Sequence, residues 1–186
     1  MALTYTPPGE PGFPLPHFSL PAVSGSTITD GSFSDKKGLL VMFICNHCPY
    51  VKAIEQRLID LGNHYKNSAL GMIAICSNDA KDYPEDSFEN IQKTWKEKSY
   101  PFEYLYDESQ QVAKKFGAVC TPDIFLFKNT KDQMQLYYRG RLDDSWKDES
   151  LVKQHDLKHA IDLLLSDNPA PSEQIPSMGC SIKWRE

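Results

Sequence analysis

The chain of 186 residues has no apolar run approaching the ~18 residues that a membrane span needs, so neither a span nor a membrane partner is expected. It has no cluster of Lys and Arg and carries a net charge of −5, which excludes the electrostatic footprint of a nucleic-acid binder. Met1–Glu10 contains no basic segment followed by an apolar one, so this stretch does not read as a secretory leader. No glycine-rich loop is built to cradle phosphates, and no organic cofactor is expected. Internal repeats and low-complexity linkers are also missing. Cysteine is scarce and odd in number: Cys45, Cys48, Cys76, Cys120 and Cys180 leave one thiol unpaired in a monomer. That count argues against a secreted scaffold stapled by disulfides. It favours a reducing, cytoplasmic setting with one catalytic pair.

What is present suits one domain. Hydrophobic residues make up 40% of the chain, enough for a core at this length. Prolines crowd residues 1–16, which read as an extended arm ahead of a domain over 17–166 and a Pro- and Ser-rich tail over 167–186 that is expected to pack on the same domain. Within the domain, 17–23 and 27–29 read as short strands, with Pro21 at an edge. The continuous apolar runs 38–44 and 70–76 read as strands buried on both faces. The spacing of Val51, Ile54, Leu58 and Leu61 predicts a helix over 49–66 opened by Pro49. Further helices are expected over 87–98, 110–116 and 151–165. Strands are expected over 102–106, 124–127 and 134–139, the last two joined by a turn at 129–132. Alternating strands and helices imply an α/β domain. Its central mixed β-sheet has a parallel core, an antiparallel hairpin edge, helices on both faces and an N-terminal β extension. Reactive groups in such sheets sit at the carboxyl ends of the parallel strands. Cys45 directly follows one of these strands and Cys76 closes another.

Cys45-Asn46-His47-Cys48 lies at a strand-to-helix junction. Two cysteines at this spacing can close into a disulfide. The helix N-terminus supplies unpaired N–H groups and a positive partial charge, both of which favour a thiolate. His47 sits inside the ring that such a disulfide closes. As an imidazolium it stabilises a thiolate, favours the reduced form and raises the reduction potential. Cys120-Thr121-Pro122-Asp123 stands before the strand at 124–127. A cis bond at Pro122 frees the preceding backbone to pair with an extended substrate.

Three segments together resemble a bacterial thioredoxin-like family of the alkyl hydroperoxide reductase/thiol-specific antioxidant, or redoxin, group: Val41-Met-Phe-Ile-Cys-Asn-His-Cys-Pro-Tyr-Val51, Val119-Cys-Thr-Pro-Asp-Ile-Phe-Leu-Phe127 and Ser177-Met-Gly-Cys-Ser-Ile-Lys-Trp184. The resemblance implies a thioredoxin-like fold, Cys45–Cys48 as the redox pair, and Pro122, preceded by Thr121, as the cis-proline facing it. It implies a thiol–disulfide oxidoreductase acting on protein or small-molecule thiols and disulfides, served by a thioredoxin-type electron donor. A thiol peroxidase and a non-catalytic binding module are the alternatives. The chain departs from its better-known relatives. Thioredoxin carries Trp-Cys-Gly-Pro-Cys, whereas the intervening pair here is Asn46-His47. Peroxidatic centres need a Thr or Ser three residues before the reactive Cys and a Pro four before that. Counted from Cys48, those positions are Cys45 and Val41.

Which cysteine attacks stays open on sequence. The resemblance favours Cys45, while Pro49 makes Cys48 the helix N-cap and exposes it more strongly to the helix field. A zinc site is not expected, because the CxxC has no second closely spaced pair beyond His155 and His159, four apart on an expected helix. Cys76 reads as core filling, and Cys120 and Cys180 as packing residues or additional redox groups. Asp79, Asp82, Glu85 and Asp86 read as a solvated acidic loop.

Overall fold

The apolar run at 38–43 forms a strand in which all six residues are buried. Around it the computed structural model, which describes residues 3–131 and 133–185, arranges the chain as follows. Strands β1 (Leu3–Tyr5), β2 (Ser19–Pro21), β3 (Thr27–Thr29) and β4 (Gly38–Phe43) lead into helix α1 (Pro49–Tyr65). Then come β5 (Leu70–Cys76), α2 (Phe88–Glu97), β6 (Glu103–Tyr106) and α3 (Gln111–Phe116). The chain continues through β7 (Cys120–Thr121), β8 (Asp123–Asn129), β9 (Met134–Arg139), α4 (Asp156–Leu165) and β10 (Met178–Ser181).

The central sheet has the order β6-β5-β4-β8-β9. β4 and β6 flank β5 in parallel, and β8 and β9 run antiparallel. This is the mixed sheet of a thioredoxin-like fold. The period-2 alternation of each strand feeds two cores. Leu40, Met42, Ile44, Ala74 and Leu126 pack under Val51, Ile54 and Leu58 of α1, Ile91 of α2 and Leu157, Ile161 and Leu164 of α4. Leu39, Val41, Phe43, Ile73 and Phe125 face Val112 and Phe116 of α3, together with Phe18 and Leu20. Fully burying such a side chain contributes about 1.5–3 kcal/mol, so both faces are well supported. Among the described residues no helix is long and apolar enough to cross a membrane.

Two expectations need correction. The helix expected over 151–165 is divided: Glu149–Leu151 is a single 3-10 turn, and α4 starts at Asp156 with His155 as its N-cap. Leu151 is 61% exposed and has no core to cover, so the apolar face that holds the helix begins only at Leu157. His155 and His159 therefore do not share a helix. The proline-rich arm and the tail also contain strands. β1 pairs antiparallel with β10, matching Leu3 to Cys180 and Tyr5 to Met178, and β10 pairs antiparallel with β7. A second sheet, β1-β10-β7, thus joins both ends of the chain to the loop before β8. Met1, Ala2 and Glu186, at the outer ends of the expected arm and tail, lie outside the described residues, as does Asp132 of the expected turn.

Candidate redox site

β4 and α1 bring Cys45 and Cys48 to the carboxyl edge of the sheet. Cys48 is the N-cap of α1, with Pro49 in the first turn, and its carbonyl accepts from Lys52 N at 3.0 Å. Opposite lies the Thr121–Pro122 peptide, which is cis. Thr121 touches both sulfurs: its Oγ1 is 3.3 Å from Cys45 Sγ and its carbonyl oxygen 3.1 Å from Cys48 Sγ. Cys45, Cys48, Thr121 and Pro122 are thus brought together from three elements, all buried. None of the five cysteines is in a disulfide.

The two thiols ionise differently. The Cys45 thiol donates to Cys48, and despite the opposing effect of burial this bond, with the Val51 backbone N–H and Cys180, holds Cys48 down at about 4. These are a helix N-terminal donor and neighbouring thiols, the environment in which a thiolate survives. The Thr121 carbonyl works against the thiolate, since it can only accept from a protonated Cys48, but the donors outnumber it. Burial pushes Cys45 well up, helped by its bond to Cys48 and by the charge of Asp86; the Thr121 hydroxyl opposes this. The two effects have opposite directions and favour the shared proton on Cys45.

Asp86 corrects the expectation of a solvated acidic loop. Its side chain is fully buried. Oδ1 accepts from the backbone N–H of Asn46 at 2.7 Å and of His47 at 3.3 Å. Oδ2 accepts from His47 Nδ1 at 2.5 Å and Asn78 Nδ2 at 2.8 Å. The loop between the cysteines is thus folded around this carboxylate. His47 also stacks on Tyr83, with ring centroids 4.7 Å apart, so it does not point freely into solvent. No local sequence signal marks Asp86, because its partners in the CxxC loop, Asn46 and His47, lie about forty residues upstream. Asp79 is likewise buried and pairs with Arg185. Possible cation ligands of Cys45, His47 and Asp86 lie within 4.8 Å of one another, and His47 Nε2 is buried without a hydrogen-bond partner among the described residues. These three could hold a small cation. His155 is elsewhere, in a cleft with Arg57 and His64.

The remaining cysteines diverge. Cys76 ends β5 in the core, and burial followed by the Asp86 charge pushes its thiol up. Cys120 is buried, its sulfur 3.5 Å from the Pro122 carbonyl, and its thiol is pushed up by burial and by Asp123. Asp123 is in turn gripped by Arg139, with Nε to Oδ1 at 3.2 Å and Nη2 to Oδ2 at 2.8 Å, which anchors the residue after Pro122. Cys180 sits in β10 opposite Thr121, is buried, and shares a hydrogen bond with Cys48. A cavity of about 190 Å³ opens beside Pro122, lined by Tyr50, Ile54, Leu142, Trp146 and Met178.

A sequence model described as the AhpC/TSA family matches residues 11–135. The chain belongs to the AhpC/TSA family. Membership supports a general redox function for this AhpC/TSA protein. No curated protein matches it in sequence. Among solved structures it is similar to an uncharacterized conserved protein from Geobacillus kaustophilus, with 41% identity and a TM-score of 0.93 over 100% of this chain and 97% of that one. It is also similar to a hypothetical protein from Sinorhizobium meliloti, with 38% identity and a TM-score of 0.92 over 98% of each. The thioredoxin domain of a thiol-disulfide oxidoreductase from Bacteroides vulgatus shares the fold, with 17% identity and a TM-score of 0.56 over 70% of this chain and 90% of that one.

Proposed function

We propose that this AhpC/TSA protein is a thiol–disulfide oxidoreductase using Cys45 and Cys48, with Thr121 and Pro122 positioning the substrate and His47 tuning the pair. The observation that carries this reading is the pair's own asymmetry: a helix-capping Cys48 held acidic by the Cys45 thiol, both against the peptide bond of Pro122.

The geometry favours Cys48 as the attacking thiolate, where the family resemblance favours Cys45. Cys48 attacks one sulfur of a substrate disulfide. A Cys48–substrate disulfide forms, the substrate S–S bond breaks, and one substrate thiolate leaves and takes up a proton. Cys45 then loses its proton and attacks Cys48 Sγ. The Cys45–Cys48 disulfide forms and the second substrate thiol leaves. Two electrons have passed from the pair to the substrate, and the reverse sequence delivers a disulfide. The largely apolar cavity beside Pro122, which Arg141, Asp143 and Asp144 also line, suits a hydrophobic side chain next to the reacting sulfur. Protein thiols and disulfides, with a thioredoxin-type donor to restore the dithiol, are the partners this chemistry calls for. A reducing, cytoplasmic setting suits it.

The test is to equilibrate the full chain with glutathione buffers of stepped ratio and map fragment 38–52, which contains both cysteines. A reversible disulfide within that fragment, and disulfide-reductase turnover lost in Cys48→Ser, are expected. No such disulfide at any ratio, or turnover that survives Cys48→Ser, overturns the reading. Peroxide consumption that persists with full disulfide-reductase loss in Cys45→Ser points to a peroxidase instead.

A further inference from the structure

Residues that precede a cis-proline at the start of a strand present a free backbone edge to which an extended chain can add antiparallel. In this protein that edge is taken by the chain's own tail. β10 runs antiparallel to β7, with Cys180 opposite Thr121 and Ser181 opposite Cys120. The approach is as close as backbone allows: a Cβ on Gly179 would lie 2.0 Å from the Thr121 carbonyl oxygen and 3.0 Å from Pro122 N. Only glycine lets the strand lie flat on the cis peptide.

The strand is pinned on both sides of this glycine. Ser177 Oγ donates to the Pro122 carbonyl at 3.0 Å, and Ser177 N donates to Thr6 Oγ1 at 3.0 Å. Downstream, Ile182 N donates to the Val119 carbonyl at 3.1 Å and Lys183 N to Asn78 Oδ1 at 2.8 Å. This framing fixes Cys180 beside Cys48, with which it shares a side-chain hydrogen bond. Cys48 thus has a thiol partner on each side, Cys45 and Cys180. All three are buried, and the tail strand lies on the Thr121–Pro122 peptide that faces Cys48.

We propose that residues 177–182 are a built-in substrate strand, in which Cys180 holds the place of a substrate cysteine and exchanges the Cys45–Cys48 disulfide for Cys48–Cys180. The inference rests on the reading of Cys45 and Cys48 as the redox pair. In the exchange the Cys180 sulfur attacks Cys48 Sγ. The Cys48–Cys180 bond forms, the Cys45–Cys48 bond breaks, and the proton of Cys180 ends on Cys45. No electrons leave the chain, and no further reactant is needed. At rest the Cys180 thiol, pushed up to about 12 by burial and by its bond to Cys48, is a donor and not a nucleophile. It has no charged neighbour at Cys48 once that sulfur is held in a disulfide. The exchanged state ties the tail covalently over the site and closes the β7 edge to other chains.

The experiment uses the full chain with Cys45→Ser, reduced and then treated with glutathione disulfide under native conditions. Glutathione disulfide oxidises Cys48 to a mixed disulfide and releases one glutathione. Cys180 then displaces the second glutathione and forms Cys48–Cys180. Trypsin should yield fragment 38–52 linked to fragment 159–183, with both thiols lost together. In Cys45→Ser/Cys180→Ser the reaction should stop at glutathionylated Cys48. Gly179→Ala should reduce the cross-link several-fold while leaving closure of Cys45–Cys48 in the parent chain intact. If Cys45→Ser fails to fold by circular dichroism, Cys45→Ala takes its place. A Cys45→Ser protein that stops at the mixed disulfide, with Cys180 fully alkylatable after unfolding, overturns the proposal while the parent's Cys45–Cys48 disulfide still supports the proposed function. Absence of Cys45–Cys48 closure in the parent is the distinct failure of the redox-pair reading, and it removes the exchange as well.

Discussion

Asp86 Oδ2 accepts the ring N–H of His47 Nδ1 at 2.5 Å, with the carboxylate fully buried and the imidazole nearly so. The same carboxylate raises the Cys45 thiol by its charge. The residue between the cysteines and the acid behind them therefore form one electrostatic unit with the redox pair, and each member has a predictable sign.

Asp86→Asn removes a negative charge beside a pair whose reduced form carries a thiolate. The reduced form gains, and the reduction potential rises, by roughly 30 mV for each ~1.4 kcal/mol of relief. Glutathione equilibria of the variant and the parent measure it. A potential that stays fixed or falls defeats this view of Asp86. Asp86→Ala should also destabilise the fold by about 3–5 kcal/mol, because the N–H groups of residues 46 and 47 and the His47 ring lose a buried acceptor.

His47→Ala leaves the Asp86 charge without its partner, so the potential should fall, opposite in sign to Asp86→Asn. Because the two side chains touch, their effects should not add. The double variant should differ from the sum of the singles by more than the ~0.5 kcal/mol typical of distant sites. Additive potentials would show that His47 acts on the sulfurs without Asp86.

Thiolate ultraviolet absorbance of the reduced protein should appear as pH rises through about 4. It should vanish from that range in Cys48→Ser. In Cys45→Ala its midpoint should move up, because the principal donor to Cys48 is gone. The folded-state value lies below that of an unfolded thiol, ~8.5. Its stabilising contribution is therefore fully present above ~8.5 and is lost as pH falls through about 4. Cys45, pushed the other way, is protonated in both states through the lower part of this window and adds no slope until pH nears the unfolded value of ~8.5, where it begins to lower stability. Unfolding of the parent and Cys48→Ser in reductant should converge as pH approaches 4.

Gly179→Ala forces a methyl into the Thr121 carbonyl. Neither backbone can yield without breaking the β10–β7 pairing, so a loss of about 1–3 kcal/mol is expected. Amide exchange at residues 178–182 should quicken more than exchange in β4 and β5. Uniform protection would show that the tail is not held by this contact.

Arg139→Ala leaves Asp123 buried without its bidentate partner and should cost about 3–5 kcal/mol in denaturant unfolding. Arg139→Lys should recover little of it, since an ammonium cannot span both carboxylate oxygens. Full recovery by Lys would mean that charge alone anchors the residue after Pro122.

The sequence alone determined what depends on neighbours along the chain. The continuous apolar run at 38–44 declares a strand covered on both faces, as β4 is. Val51, Ile54 and Leu58 at helical spacing, led by Pro49, declare α1 and put Cys48 at its cap. The CxxC and the Thr-Pro segment before β8 named the four residues that meet at the sheet edge. Tertiary structure decided what depends on residues far apart in the chain. Asp86 looks like one more acid in a polar loop until the fold turns it inward to collect N–H groups from residues 46 and 47. β1 and β10 have three and four residues, too few to show an alternation, and each becomes a strand only because the other lies beside it and β7 beyond. For the same reason Cys180 reads as a tail thiol in one dimension and as the neighbour of Cys48 in three. Hydrogen bonds between the two ends of the chain leave no periodic trace in either, so only their pairing reveals them.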